Sequence, residues 1–487
     1  MKESEYIPTI GLEIHAELKT ETKMFCNSKN DPEEKEPNVN VCPVCMGHPG
    51  TLPSVNKEAV KHVLKVGLAL GGELADFTEF DRKNYFYPDI PKGYQISQYK
   101  FPLVKGGKLG SVALTRIHLE EDTAKSTHDT GDYSLVDFNR AGVPLMELVT
   151  EPVIHSAEEA AAFGRELQLA LRYLGVAYAN MEKGEMRVEA NISISKDPKK
   201  FGTKVEVKNL NSFRSVEKAI VYEVKRHIDL LEKGEAITQE TRGFDETKGT
   251  TFSQRSKEDS HDYRYFPDPD IPKLYLSEIP EFRPEVLRKE IPEMPWQKRA
   301  RYEKDFGVKS SDTELFVRQK KLADLFEGIA VSFKDDGAAL QIASNYLTSD
   351  LVGLLKARND LKGKGDVREE LDFDTIKILP NDFAELVKLI RAGDISSRGA
   401  KDILKVMFEE GGEPKVIAKE RDLIQKSDTG ALEVIVKKII ANNEKVVVDY
   451  KAGKAAALQF LIGQGMKETK GSANPEVLRT IFKEILG

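Results

Sequence analysis

Glu13, His15 and Glu17 alternate in Gly11-Leu12-Glu13-Ile14-His15-Ala16-Glu17, so in an extended strand they point to one side at roughly 7 Å spacing. A histidine flanked by carboxylates suits proton transfer or the holding of a divalent cation. The same alternation also describes a solvated face of an antiparallel sheet. More acids follow in Leu119-Glu120-Glu121-Asp122 and in Gly142-Val143-Pro144-Leu145-Met146-Glu147-Leu148-Val149, where Glu147 stands alone in an apolar run. An acid so placed must be neutralised, paired or bound to a metal, and Arg140 or Arg187 would be the partner of a buried ion pair. One imidazole among several carboxylates suits Mg²⁺ carrying nucleotide phosphates better than it suits structural zinc. The chain has no Gly-x-x-x-x-Gly-Lys-Ser/Thr loop, so a nucleotide would be bound some other way.

Cations interleave with aromatic residues in Asp81-Arg82-Lys83-Asn84-Tyr85-Phe86-Tyr87-Pro88-Asp89 and in Asp262-Tyr263-Arg264-Tyr265-Phe266-Pro267-Asp268. Such segments hold phosphates or stack bases, or else are loops packed by their own rings. Cys26, Cys42 and Cys45 are the only cysteines. The Cys-x-x-Cys pair and Cys26 make part of a zinc pattern, with His48 available as a fourth ligand; three buried free thiols are the alternative.

Strands with one polar side must position these groups. The alternation of Leu12 to Leu18 recurs in Arg116–Glu120, Val188–Ser193 and Lys204–Lys208. Helices fall between them: Ser156 and Glu159 form a capping box, Phe163, Leu167, Ala170, Leu171 and Leu174 share a face, and Gly175 marks the stop. Asn56–Gly71 and Val216–Gly234 repeat that design. Because helices and strands do not alternate regularly, the fold class expected is α+β, with an N-terminal antiparallel sheet. Prolines cluster from Pro267 to Pro295 and the pattern then turns helical, with a break at Gly411-Gly412-Glu413-Pro414. The domains expected are 1–295, an all-α segment 296–410 and an all-α tail 411–487.

At 487 residues the chain exceeds one core, and 40% apolar with 31% charged residues excludes a disordered or fibrous protein. The acidic start Met1-Lys2-Glu3-Ser4-Glu5 is not a signal peptide, and no apolar run reaches bilayer length, so a cytoplasmic location is expected. Net charge is −7, but the residues after Glu433 carry +4 and the rest −11. A basic tail on an acidic body suits local phosphate contact.

Gly11–His15, Asp81–Asp89, Pro91–Gln98, His118–Asp122, Lys204–Ser212, Asp262–Pro269 and Gly463–Pro475, in this order, resemble the B-subunit family of the aspartyl/glutamyl-tRNA(Asn/Gln) amidotransferase. The resemblance runs from about residue 6 to the C-terminus. It implies a catalytic cradle, a helical linker and a tail that contacts tRNA, here through Lys451, Lys454, Lys467 and Lys470. It implies a ligase that works as a complex with glutamine as amide donor. ATP converts the side-chain carboxylate of Glu-tRNA(Gln) or Asp-tRNA(Asn) to an acyl phosphate, and ammonia from the amidase, the A-subunit of the complex, displaces phosphate. A small C-subunit completes the assembly; neither membrane nor DNA is a partner. His15, Glu120 and Glu147 match Mg²⁺ ligands, with Glu13 beside them as a second metal or ammonia-handling group. Arg82, Lys83, Tyr85, Tyr87, Lys208 and Arg264 fall in the motifs of the ATP and substrate pocket. Many relatives with the cysteine region carry Cys-x-Cys before Cys-x-x-Cys, whereas Ser28 stands here.

Two other classes of function fit the residues. An RNA-binding scaffold would leave the chemistry to a partner, and a Mg²⁺-dependent ligase or kinase would act on a free small carboxylate.

Overall fold

Ile10, Leu12, Ile14 and Ala16 are fully buried, and Glu13, His15 and Glu17 form the other side of the strand Ile7–Glu17. Both edges of this strand are paired antiparallel, to Met186–Ser195 and to Pro144–Thr150, which puts it at the centre of a sheet. The computed structural model describes residues 5–127, 131–256, 263–334, 336–361, 373, 376–425, 429–469 and 473–487. Beyond Met186–Ser195 come Val205–Leu210, Glu240–Asp245 and Thr250–Ser256; beyond Pro144–Thr150 come Val112–Glu121 and the short strands Val104–Lys105 and Glu73–Leu74. The class is α+β, but the sheet is mixed where an antiparallel one was expected, since Val205–Leu210 and Glu240–Asp245 run parallel. The helix Phe213–Glu232 lies between those two strands in sequence and carries the chain across, a connection parallel strands require.

The apolar side of the sheet is covered by helices whose ends follow from their capping residues. Ser156 accepts a bond from Glu159 N at the start of Ala157–Leu174, and Gly175 ends it at φ 69°. Asn56 caps Lys57–Ala69, and Ser212 caps Phe213–Glu232 three residues ahead of the start expected at Val216. At Gly164 an added Cβ would stand 2.9 Å from Phe213 Cε1, so glycine lets two helices approach.

Glu223 joins the helix Phe213–Glu232 to the sheet edge. Its fully buried carboxylate accepts from Arg226 at 2.7 Å and from Thr251, and lies 3.2 Å from both Arg242 Nε and His227 Nε2. Burial opposes its charge, yet His227, Arg226 and Thr251 together lower its pKa to about 2.

The chain divides into two compact units, 1–295 and 296–487. Within the second, Phe316, Phe326, Phe383 and Leu404 belong to one helical core that reaches Ile417 and Ala418, beyond Gly411-Gly412. A separate core of Leu432, Val436, Leu461, Leu478, Ile481 and Phe482 joins the last helices, Thr429–Asn442, Glu444–Lys451, Ala455–Glu468 and Pro475–Leu486. Asn474 caps the last of these and Pro475 opens it. Among the described residues no helix is long and apolar enough to cross a membrane.

Glu223→Gln would leave Arg226 and Arg242 to share the single carboxylate of Glu240, which lies 2.5 Å from Arg242 and 3.8 Å from Arg226, a loss of about 3 kcal/mol. Because the folded pKa lies below the ordinary 4.5, this stabilisation is complete above 4.5 and fades as pH falls towards about 2. Urea unfolding of both proteins at pH 7 and near pH 3 should show a wide gap in midpoint that narrows with acid. A gap independent of pH would contradict the assignment.

Candidate active site

Strand register gathers what the sequence leaves apart. His15 faces Arg187 across one edge of its strand and Glu147 across the other, and Glu147 faces His118 on Val112–Glu121. Directly opposed residues share a face, so Arg187, His15, Glu147 and His118 form one row on the polar side. His15 Nε2 lies 3.3 Å from Glu147 and 3.5 Å from Glu120; His118 Nε2 lies 3.4 Å from the same oxygen of Glu147.

A second, three-stranded sheet of Asp81–Asn84, Tyr94–Ser97 and Phe266–Pro267 lies against this side. Ser97 donates to Glu120 at 3.2 Å, Ile96 N to Glu121 at 2.9 Å and Gln95 to the Glu121 carbonyl at 2.6 Å.

Burial opposes charge on Glu147, but His118 and His15 hold it well below the usual carboxylate range. For His15, burial favours the neutral ring, and the bond to Glu147 with the charges of Glu147 and Glu120 outweighs it, raising the pKa to about 9. A cation entering here displaces that proton. The ion-pair partners expected for Glu147 are corrected by the structure. Arg140 and Arg187 lie 3.7 Å and 3.1 Å from Asp122, and Arg116 approaches Glu147 at 3.8 Å. Glu17 shares the Asp122 cluster, where burial and Asp122 push it up to about 8. It stands apart from the row.

A second acid group flanks the first. Glu13 faces Glu189 in register, and with Glu206 their oxygens lie within 4.8 Å of one another. Lys208 stands 2.7 Å from Glu189 and 3.5 Å from Glu206, and Asn191 donates to Glu13 at 3.0 Å. Burial, then Glu147, Glu189 and Glu206, raise the pKa of Glu13 above its ordinary value.

Besides Arg116, Lys83 lies in the field of the cluster. Burial works against its charge, but Glu120 and Glu147 raise its pKa, so the ammonium persists. Its Nζ lies 5.0 Å from the Tyr263 ring centroid. Tyr85, Tyr263, Tyr265 and Tyr99 run in ring contact, the last two stacked at 4.5 Å. Burial raises the pKa of Tyr85 and carries that of Tyr265 to about 12. Arg82 is engaged elsewhere, with Asp268 at 2.7 Å, Asp270 at 2.8 Å and the Tyr94 ring at 4.2 Å. Tyr87 is exposed against Tyr85, and exposed Arg264 offers its carbonyl to Asn84 at 2.9 Å. Sequence reasoning missed His118, Glu189 and Glu206 as members of the site. His118 sits in an alternating strand quoted there, but only register reveals its partner.

His15, Glu120 and Glu147 offer donor atoms within 4.8 Å of one another. One imidazole and two carboxylates with excess negative charge fit a small hard cation such as Mg²⁺. Zinc fits the cysteines less well. Cys26, Cys42 and Cys45 lie within 4.8 Å of one another, yet no fourth His, Cys, Asp or Glu joins them among the described residues, and His48 is exposed. A closed structural site needs four ligands. In the tail, Lys451, Lys454 and Lys467 are exposed, with Lys454 paired to Asp449 at 2.8 Å. Lys470 and Asp262 lie outside the described residues.

Residues 8–279 match the family described as GatB/GatE catalytic domain, and residues 324–486 match the GatB domain. The chain is similar to proteins named as the B-subunit of aspartyl/glutamyl-tRNA(Asn/Gln) amidotransferase. It is 43% identical to that of Carboxydothermus hydrogenoformans and 44% to that of Thermoanaerobacter pseudethanolicus, over 99% of both chains in each case. It is also 44% identical to that of Persephonella marina, over 99% of this chain and 100% of the relative.

Using Mn²⁺ as a spectroscopic stand-in, His15→Ala and Glu147→Gln should each weaken cation binding by at least about tenfold. Titration of free Mn²⁺ by electron paramagnetic resonance measures this; unchanged affinity in both variants would remove the cluster as a cation site.

Proposed function

The chain belongs to the B-subunit family of aspartyl/glutamyl-tRNA(Asn/Gln) amidotransferases, and on that premise we propose that it uses ATP to activate the side-chain carboxylate of Glu-tRNA(Gln) or Asp-tRNA(Asn) for amidation. The observation that carries this reading is the cluster of half-buried His15 with buried Glu120 and Glu147, with Lys83 in its field. Direct attack by ammonia on a carboxylate would expel oxide, a very poor leaving group. Transfer of the γ-phosphoryl group to a carboxylate oxygen breaks the bond to ADP and gives an acyl phosphate. Ammonia then displaces phosphate and leaves the amide.

Phosphoryl transfer depends mainly on positioning and charge neutralisation. His15, Glu120 and Glu147 would hold Mg²⁺, which supplies positive charge to the phosphates. Lys83, kept charged, holds a phosphate oxygen, and Tyr85 and Tyr265, kept protonated, donate hydrogen bonds to substrate. Glu13, held by Asn191 and with its pKa raised by burial and by Glu147, Glu189 and Glu206, takes the proton that the attacking nitrogen must lose. An acyl phosphate hydrolyses readily, so ammonia reaches it from the amidase by a protected passage instead of from bulk water. The small C-subunit completes this assembly in the cytoplasm.

In a complex reconstituted with both partner proteins, His15→Ala or Glu147→Ala should reduce ATP-dependent phosphorylation of Glu-tRNA(Gln) by about 100-fold or more while tRNA binding persists. Loss of tRNA binding in these variants would overturn the site assignment. Free glutamate should not trigger ATP hydrolysis; if it does, the substrate is a small carboxylate. Charge reversal at Lys451, Lys454 and Lys467 together should weaken tRNA binding and flatten its salt dependence, as filter binding at several salt concentrations can measure. An unaltered salt slope would take those lysines out of the tRNA contact.

A further inference from the structure

Cys26, Cys42 and Cys45 gather around a lysine withdrawn from solvent. Lys23 is 0% exposed; its ammonium donates to the Phe138 carbonyl at 3.1 Å and stands 4.0 Å from Cys45 Sγ. A buried ammonium needs an anion close by. Glu121, the acid within its field, is already held by Lys92 at 2.6 Å and Ile96 N at 2.9 Å. Burial lowers the pKa of Lys23, and the sulfurs of Cys45, Cys26 and Cys42, then Glu121, work against that; among the described residues Lys23 makes no ion pair with a carboxylate, so the Cys45 sulfur at 4.0 Å is the group placed to balance its charge. That sulfur accepts from Cys42 N at 3.1 Å and lies 3.8 Å from Ser28 Oγ and 3.8 Å from Cys42 Sγ. The two other side chains beside Cys45 offer a hydroxyl and an amine, neither of them a usual zinc ligand. Cys26, Cys45, His48, Lys92 and Glu121 line a cavity of about 200 Å³ large enough for a small oxidant.

We propose that this cluster is a redox modification site in which Cys45 reacts with hydrogen peroxide and Cys42 resolves the product as a Cys42–Cys45 disulfide. The Cys45 thiolate attacks one peroxide oxygen, the O–O bond breaks, and hydroxide leaves with a proton from the Lys23 ammonium, giving water and Cys45 sulfenic acid. The Cys42 thiol then attacks the oxidised sulfur and expels hydroxide. Its own proton returns Lys23 to the ammonium form, and a solvent proton converts that hydroxide to water. Two thiols lose two electrons and one peroxide becomes two waters. Closing the S–S bond requires the sulfurs to approach by roughly 2 Å, within the reach of side-chain rotation in a Cys-x-x-Cys segment. Cys26, hydrogen-bonded to Cys45, favours the thiolate on that sulfur and stays reduced itself.

The full-length chain, purified under reductant and then freed of it, is treated with equimolar peroxide and mapped by mass spectrometry without reduction. A Cys42–Cys45 linkage is expected. Cys42→Ser should stop at a sulfenic acid on Cys45 that dimedone traps, Cys45→Ser should leave Cys42 reduced, and Lys23→Met should slow oxidation about tenfold. The two cysteine variants decide the matter even where Lys23→Met does not fold. A linkage through Cys26, three unmodified thiols, or zinc at about one equivalent per chain that must be chelated before any reaction would each overturn the proposal.

Discussion

The N-terminal unit depends on keeping Glu147 ionised beneath an apolar strand. Leu145, Met146 and Leu148 around it are buried, and a bare carboxylate in such surroundings would take up a proton. His15 and His118, each within 3.4 Å, hold it charged from the two neighbouring strands. A strand slipped by one residue against either partner would turn that histidine to the opposite face and strand the charge. The chemistry of the site therefore enforces the register of the sheet that carries it.

Each surrounding feature answers to that constraint. The helices Ala157–Leu174 and Phe213–Glu232 cover the apolar side and leave the polar side free for charge. The three-stranded sheet fixes Glu120 and Glu121 through Ser97, Ile96 and Gln95, and brings Lys83 opposite the acids. The result is a preorganised set of charges in which an added cation and phosphates relieve repulsion instead of creating it. The activation of a carboxylate by ATP proposed above is a reaction that would need such an arrangement.

Much of this was legible in the sequence, and for identifiable reasons. Strand alternation at Glu13 and His15, the Ser156 cap and the awkward setting of Glu147 are local signals. The partners of Glu147 were not legible, because Arg140 and Arg187 are as plausible by charge as His118 until register excludes them. The parallel pair of Val205–Leu210 and Glu240–Asp245 was missed because a crossover and a hairpin leave similar strand patterns. Arg82 and Lys83 are neighbours in sequence, yet pleating sends them to different partners, one to Asp268 and the other towards Glu120. The three cysteines suggested zinc through spacing alone, and spacing could not show the buried Lys23 beside them.

If His15 belongs to a cation site that serves the phosphates of ATP, one bound ion must sense both the imidazole and the nucleotide. Pulsed electron paramagnetic resonance of the reconstituted complex, with ¹⁵N-histidine in this chain and Mn²⁺ and ATP bound, records both in one spectrum. Couplings to ³¹P and to an imidazole ¹⁵N are predicted, with the nitrogen coupling lost in His15→Gln. Phosphorus coupling without any imidazole coupling in the unsubstituted chain would contradict this role for His15.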